Sequence, residues 1–171
     1  MEVVKAPNPK LRVQTKPVKK ISPGLVQILK DMVRLTKTFK DPEGVGLAST
    51  QVGLDGRFFV AKDGEKFMSV VNPKILLLGK RTKKYFEGCL SIPNVWGEVK
   101  RAIYIKVSYQ NESGKTITTP LKGVLAWIFQ HEIDHLNGTL FSDRVLEQKG
   151  KFYKYTGKDE TGTDIFEEVT I

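Results

Sequence analysis

The chain has 171 residues, of which 40% are hydrophobic and 27% charged, and its formal net charge is +9. These proportions exclude fibrous or disordered protein, and one core suffices because a domain of this size buries roughly 70% of the surface of its unfolded chain. A membrane span needs about 20 apolar residues, and apolar runs such as Ile75 to Leu78 are far shorter. We therefore expect a soluble protein with a single domain over residues 1–171.

The first twenty residues mix lysines with prolines and contain no apolar stretch like that of a secretory signal. We therefore expect a cytoplasmic protein. Cys89 is the one cysteine, which excludes an internal disulfide and fits a reducing compartment. The simplest explanation of a lone thiol is a small buried hydrophobic side chain.

The first predicted helix runs from about Pro23 to Phe39, because Ser22 can cap it and apolar residues recur at helical spacing. The short segments that follow are rich in β-branched and aromatic residues and are predicted as strands. They cover residues 57–61, 67–71 and 75–78, and Asp63-Gly64 and Asn72-Pro73 separate them.

A hairpin is predicted next, since alternating apolar residues between Ile103 and Gln110 lead into the turn residues 111–114 and a second β-type segment. Thr119 and Pro120 then offer a cap for a second helix, which is apolar over most of its circumference until Gly138. Such a helix is buried in the middle of a domain. The pattern predicts an α+β fold in which antiparallel and mixed sheets pack around this helix.

The predicted central helix carries the sequence Gln130-His131-Glu132-Ile133-Asp134-His135, which contains both histidines of the chain. Histidines four residues apart share a helical face, so both rings can bind one ion. This is the H-E-x-x-H arrangement of zinc hydrolases, in which the glutamate acts as the base. The alternative is a pair of histidines satisfied by hydrogen bonds.

A catalytic metal usually takes a third protein ligand and keeps one position open for water. In metzincin proteases that ligand is a histidine beyond a glycine, but Phe141 stands at this place after Gly138. In thermolysin-like proteases it is a glutamate further along, where Tyr155 stands here. The remaining soft ligand is Cys89, within the sequence Glu87-Gly88-Cys89-Leu90-Ser91.

A third segment, Gly44 to Gly53, is rich in glycine and small residues that permit close backbone approach to a ligand. Its Gln51 can donate a hydrogen bond to a developing oxyanion. In chain order the three segments have the patterns G-x-G-L-A-x-x-Q, E-G-C-L-S and Q-H-E-x-D-H. With these motifs and their spacing the chain resembles the peptide deformylases over about residues 1–145.

The resemblance implies a hydrolase that removes the N-formyl group from the N-terminal formylmethionine of nascent polypeptides and releases formate. It also implies one divalent metal ion per chain, with ferrous iron as the physiological metal and zinc, nickel or cobalt as substitutes. The ligands that it implies are Cys89, His131 and His135. Glu132 then serves as general base and acid, and Gln51 with the backbone N–H of Leu90 holds the oxyanion.

For the peptide substrate, the resemblance implies backbone pairing with Val45 and Gly46 on one side and Gly88 on the other. The methionine side chain is expected against three residues of the central helix, for which plain core packing is an equal alternative: Val124, Trp127 and Ile128. Many bacterial members have a peptide-contacting arginine near the position of Trp96. Its absence here leaves open the contacts beyond the first substrate residue.

Formylmethionyl nascent peptides are the expected partners, with no DNA and no membrane, and we expect a monomer. A basic cluster consists of Lys80, Arg81, Lys83 and Lys84. It is either a solvated face or a transient contact with the ribosome.

Two further functions stay open at this point. A neutral zinc protease would cleave internal peptide bonds. A basic binding module would close a structural zinc site with a fourth side chain and leave no water on the metal. Residues 147–171 form a C-terminal extension with three glycines and a β-branched end, for which a terminal strand and a mobile tail both fit.

Overall fold

The computed structural model describes residues 1–170, and its first long element is the helix α1, Pro23–Thr38. The Ser22 side chain caps this helix by accepting a hydrogen bond from the backbone N–H of Leu25 at 3.1 Å. One face of α1 buries Leu25, Leu29 and Met32. The first predicted helix is thereby confirmed to within a residue at its end.

The strands of residues 1–170 form two sheets. In chain order the strands are β1 (Gly46–Ala48), β2 (Phe58–Asp63), β3 (Lys66–Leu78), β4 (Thr82–Cys89), β5 (Ile92–Ala102), β6 (Tyr104–Gln110), β7 (Thr116–Lys122), β8 (Phe152–Lys158) and β9 (Asp164–Val169). Pairing between these strands is antiparallel, and an isolated parallel bridge joins Lys16 and Gly56. We expected mixed sheets, with both parallel and antiparallel pairing, but the parallel pairing is limited to that bridge.

The larger sheet has the strand order β1-β2-β3-β6-β7. The prediction of two strands separated by Asn72-Pro73 is wrong, because β3 runs through both residues. The interruption is local. Asn72 has a positive φ of 51°, and the pairing with β6 shifts register between Val71 and Lys74. A bulge of this kind accommodates a proline that has no N–H to donate, and the strand continues beyond it.

The smaller sheet has the order β4-β5-β8-β9. Strands β4 and β5 were not predicted from the sequence, since β4 has only one buried residue and so shows no alternation of buried and exposed positions. Most of the C-terminal extension forms the hairpin β8–β9, which joins the sheet where Tyr153 pairs with Trp96 of β5. A terminal β structure is therefore the correct alternative for this extension up to residue 170.

Two helices follow the larger sheet, α2 (Gly123–Leu136) and α3 (Phe141–Glu147). The predicted cap of α2 is wrong, because Thr119 and Pro120 lie within β7 and pair with β6. Since β7 is the last strand of its sheet, a proline without an N–H is tolerated there.

Helix α2 packs against the larger sheet and forms the main hydrophobic core with it. The Phe129 ring meets that of Phe59 edge to face, with centroids 5.0 Å apart. Residues 128–136 are all buried, and the chain turns away at Gly138 with φ 73°. The α+β fold around a buried central helix is confirmed. In the part of the chain that the structure describes, no helix is long and apolar enough to cross a membrane.

Candidate metal and catalytic site

Helix α2 brings both histidines of the chain to one point. His131 and His135 lie one turn apart on the same face, with ring centroids separated by 5.0 Å. Both side chains are buried because the surrounding helix faces the core. The spacing of the two residues in the sequence therefore predicts their arrangement correctly.

Cys89 approaches the two histidines from the end of β4. Its Sγ lies 3.4 Å from Nε2 of His135, and one ligand atom from each of the three residues lies within 4.8 Å of the other two. Burial, followed by the positive charge of His131, lowers the pKa of His135 well below its ordinary value. This keeps the His135 ring neutral, which is the form that binds a metal.

The environment of His131 also fits a bound cation. Burial lowers the pKa of His131, but hydrogen bonds with Cys89 and Glu87 outweigh burial and raise the pKa well above its ordinary value. The site thus stabilises positive charge between a thiol and a carboxylate, and a metal ion can replace the proton there. A thiol and two imidazoles are ligands that suit zinc or a late transition metal.

Glu132 lies beside this cluster and is almost completely buried. Its Oε2 has no hydrogen-bond partner among residues 1–170. Burial raises the pKa of Glu132 to about 7. Gly46 of β1 permits this placement, because a Cβ at that position would lie 2.4 Å from Oε1 of Glu132. Close approach of the backbone to the carboxylate therefore requires glycine at position 46.

Gln51 is fixed on the other side of the cluster by a 3-10 turn after β1. Its Oε1 accepts a hydrogen bond from the backbone N–H of Ala48 at 2.9 Å. This leaves the amide nitrogen to donate, and Nε2 lies 3.1 Å from Oγ of Ser91 and 3.4 Å from Sγ of Cys89. The donor group of Gln51 is thus directed at the cluster.

A cavity of about 100 Å³ opens at these residues. Of the residues predicted to bind substrate or to catalyse, those that line it are Val45, Gly46, Gln51, Gly88, Leu90, Trp127, Ile128 and Glu132. Cys89 and His131 also reach its wall. Val124 lies outside this lining and is 61% exposed, so its place in a methionine pocket stays a prediction.

A family model described as polypeptide deformylase matches residues 1–151. The chain belongs to the polypeptide deformylase family. It is 42% identical over 142 residues to the peptide deformylase of Thermotoga maritima, and the match covers 83% of this chain and 85% of that relative. It is 40% identical over 152 residues to the peptide deformylase of Carboxydothermus hydrogenoformans, and that match covers 88% of this chain and 97% of the relative.

Solved structures of the family agree with this assignment. The crystal structure of the peptide deformylase from Thermotoga maritima superposes with a TM-score of 0.79 at 40% identity, covering 84% of this chain and 95% of that one. The Met-Ala-Ser-bound enzyme from Acinetobacter baumannii superposes with a TM-score of 0.77 at 32% identity, covering 84% of this chain and 97% of that one. As a member of this family, the chain is a hydrolase that removes the N-formyl group from nascent polypeptides. The family implies a metal ion, and the cysteine-histidine cluster is a possible site for it.

The role of Glu87, the first residue of the E-G-C-L-S segment, was not predicted from the sequence. Its carboxylate is fully buried and accepts hydrogen bonds from Nε of Arg101 at 2.7 Å and from Nε1 of Trp127 at 2.9 Å. It also lies 2.8 Å from Nδ1 of His131. Glu87 stands two residues before Cys89, so both side chains lie on one side of β4. That spacing is the signal that could have revealed it.

Asp134 of the third motif is the second residue whose role was missed. Its carboxylate accepts hydrogen bonds from Arg101 at 2.6 Å and from Arg144 of α3 at 2.7 Å. Arg101 therefore joins Glu87 to Asp134 and closes a buried network behind the histidines. Such a network needs all of its partners, because a lone buried charge is costly.

Proposed function

We propose that Cys89, His131 and His135 hold one divalent metal ion, and that ferrous iron is the metal in the cell. The convergence of these three side chains beside a buried glutamate is the observation that carries the proposal. When bound, the ion supplies an activated water and polarises the formyl carbonyl. The iron assignment rests on the family resemblance and on the soft thiol ligand, and zinc, nickel or cobalt can replace iron.

Glu132 is proposed as the general base and acid. A carboxyl group with a pKa of about 7 can both accept and return a proton near neutral pH. Because its Oε2 has no hydrogen-bond partner in the part of the chain that the structure describes, and the residue lines the cavity, the group is free to contact a water or the departing amine. Its proton returns to the amine as the carbon–nitrogen bond breaks, which yields formate and a free amino terminus.

Gln51 and the backbone N–H of Leu90 are proposed as the donors to the oxyanion. The Gln51 amide is already oriented by its bond to Ala48. Donors that are fixed before the reaction need no reorganisation when charge develops on the formyl oxygen. Leu90 directly follows Cys89 and lines the same cavity.

The peptide substrate is proposed to bind in an extended form between the two sheets. Strand β1 is the edge of the larger sheet and β4 is the edge of the smaller one. Gly46 on the first edge and Gly88 on the second line the same cavity, as does Val45. Unpaired strand edges recognise extended peptides through backbone hydrogen bonds. Trp127 and Ile128 then line the pocket for the methionine side chain.

We propose that residues 1–171 form one catalytic domain that acts as a monomer in the cytoplasm. The basic cluster Lys80, Arg81, Lys83 and Lys84 is proposed to give a transient contact with the ribosome. Support for that contact is the formal charge of +9 and the position of the cluster at the start of β4. A salt-dependent association with isolated ribosomes, weakened by replacing the four residues with glutamine, would test it.

The proposed function is tested by comparing formyl-Met-Ala-Ser with acetyl-Met-Ala-Ser at neutral pH. A formyl carbon bears only hydrogen, so the site can close tightly around it. The methyl group of an acetyl substrate would overpack such a site, at a cost of roughly 1–3 kcal/mol. We expect strong discrimination against the acetyl peptide, mainly in turnover. Equal rates, or cleavage of the internal Met-Ala bond, would refute a deformylase. A fourth protein ligand on the metal would favour the structural zinc site instead.

A further inference from the structure

The hairpin β8–β9 lies beyond residue 151, where the match to the family model ends. It extends the smaller sheet next to β5, so it stands close to the strand that carries Cys89. Trp96 and Gly97 of β5 pair with the start of β8. An element outside the family pattern therefore adjoins the candidate site.

The two faces of this hairpin have different surroundings. Phe152 and Val169 are opposite each other and pack against α3 residues such as Val145. On the other face Tyr155 is opposite Phe166, and both rings are only half-buried. The first pair anchors the hairpin to the domain. The second pair remains available for another contact.

The available face continues an aromatic cluster that reaches the catalytic cavity. The Phe166 ring lies 4.8 Å from that of Phe86 and 5.6 Å from that of Trp96, measured between centroids. Trp96 in turn covers Gly88, where an added Cβ would lie 2.8 Å from the indole ring. The cluster thus runs from the hairpin to the strand edge proposed to pair with substrate.

Trp96 and Phe166 of this cluster also line a second cavity of about 530 Å³, which we call the hairpin groove. From the hairpin it is lined by Tyr155, Asp164 and Phe166. It shares five lining residues with the catalytic cavity, namely Pro42, Gly88, Cys89, Leu90 and Trp96. The two cavities therefore adjoin each other at the end of β4.

We propose that the hairpin groove binds the substrate residues that follow formylmethionine, and that Tyr155 and Phe166 give the enzyme a preference for large apolar side chains there. This inference rests on the proposed function. An extended peptide advances about 3.3 Å per residue. A chain whose formyl group lies at the metal site and which pairs with Gly88 therefore passes into the groove within its next few residues.

The chemistry of the groove favours apolar side chains over charged ones. Ile92, Pro93 and Val95 line it together with the aromatic rings. The Asp164 carboxylate is already paired with Nζ of Lys158 at 2.5 Å. Lys5, Asp41 and Asn94 also line the groove, and Nζ of Lys5 already donates a hydrogen bond to the backbone carbonyl of Leu90 at 2.6 Å. Aromatic and aliphatic side chains still form the larger part of the surface that the groove offers to a ligand.

The test measures formate release by the metal-loaded full chain and by Phe166→Ser, with Ile165→Ser as the matched control. Ile165 is the preceding residue of β9, is 40% exposed and lies outside the groove lining. The substrates are formyl-Met-Ala, formyl-Met-Ala-Ser-Ser and formyl-Met-Ala-Phe-Phe. We expect the unmodified enzyme and the control to favour the Phe-Phe peptide in kcat/KM. In Phe166→Ser, kcat/KM should fall about tenfold on that peptide alone. The loss should appear as a higher KM, because the contact between the Phe166 ring and the substrate is equally strong in the ground and transition states.

Tyr155→Ser provides a second variant in case Phe166→Ser fails to fold, which thermal melting will reveal. Equal kcat/KM of the unmodified enzyme on the Ser-Ser and Phe-Phe peptides would overturn the inference. A loss in either variant that is the same on formyl-Met-Ala would also overturn it, because that peptide is too short to enter the groove. Absence of formate release from every peptide would instead refute the proposed function, and the inference with it.

Discussion

The Glu87 carboxylate lies 2.8 Å from Nδ1 of His131. A hydrogen bond from Nδ1–H to this carboxylate fixes the ring orientation and leaves Nε2 to face Cys89 and the cavity. Burial raises the pKa of Glu87, but hydrogen bonds from His131 and Arg101 outweigh it and lower the pKa to about 2. Glu87 is therefore a buried anion that orients a candidate metal ligand.

We expect Glu87→Gln to weaken metal binding by about 10-fold to 100-fold, the usual effect of losing such a partner. Competition with a chromophoric chelator measures the affinity. Glu98→Gln is the matched control, since Glu98 lies on β5 in an exposed pair with Lys84. Unchanged affinity in Glu87→Gln would show that the carboxylate does not support the ligand.

The same carboxylate predicts a pH dependence of folding in chelator-treated protein. Its pKa is lowered on folding from 4.5 to about 2. The stability that it contributes is therefore complete above pH 4.5 and is lost as the pH falls toward 2. The difference in melting temperature between the unmodified protein and Glu87→Gln should be largest near pH 6 and shrink below pH 4.5. A difference that stays constant from pH 6 to pH 3 would contradict the assignment.

We expect Glu132→Ala to keep its metal and to lose about 10²-fold to 10⁴-fold in turnover, the usual contribution of a positioned acid or base. Metal content by elemental analysis and formate release on one sample separate the two effects. Glu147→Ala, which removes an exposed carboxylate from α3, should behave like the unmodified enzyme. Near-normal turnover of Glu132→Ala would remove this residue from the mechanism.

Cys89→Ala should bind ferrous iron much more weakly, because it loses the one soft ligand of the set. The unmodified iron enzyme should lose activity in air or peroxide through oxidation of the metal or the thiolate. Anaerobic metal titration checks the first effect, and activity after timed exposure to air checks the second. If Cys89→Ala retains its full affinity, the three-ligand assignment is wrong.

Gly46→Ala should lower turnover while the metal stays bound. The new methyl group would lie 2.4 Å from Oε1 of Glu132, so the carboxylate or β1 must shift. Small displacements of a catalytic group can cost about 10²-fold in rate. Gly24→Ala is the control, since its methyl group would meet only Oγ of Ser22 at 3.7 Å. Equal turnover of the two variants would show that Gly46 does not position Glu132.

The parts of the site that were predictable from the sequence are those whose geometry is local. His131 and His135 share a face because helices repeat every 3.6 residues, and no knowledge of the rest of the fold is needed. The distance along the chain between Cys89 and these histidines carries no geometric information. Cys89 was therefore grouped with them only as the remaining soft ligand and through the family resemblance. The structure places the three together.

The buried charged residues behind the two histidines are held by contacts between segments that are distant in the chain. Local sequence patterns do not encode such contacts. Arg101 reaches Glu87 and Asp134 only because β5 lies beside both β4 and α2. Thr119 and Pro120 resemble a helix start, yet the pairing of β7 with β6 keeps them in a strand. Tertiary pairing overrides a local propensity in such cases.

The position of β1 and β4 as the terminal strands of their sheets has a consequence for aggregation. An edge that accepts an unfolded nascent chain is also a template on which a misfolded chain or a second enzyme molecule can add a strand. β1 is only three residues long, and the outer part of β4 carries Lys83 and Lys84. Shortness and positive charge limit such growth to a few hydrogen bonds. If substrate pairs with these edges as proposed, the enzyme can hold one peptide briefly without seeding a larger assembly.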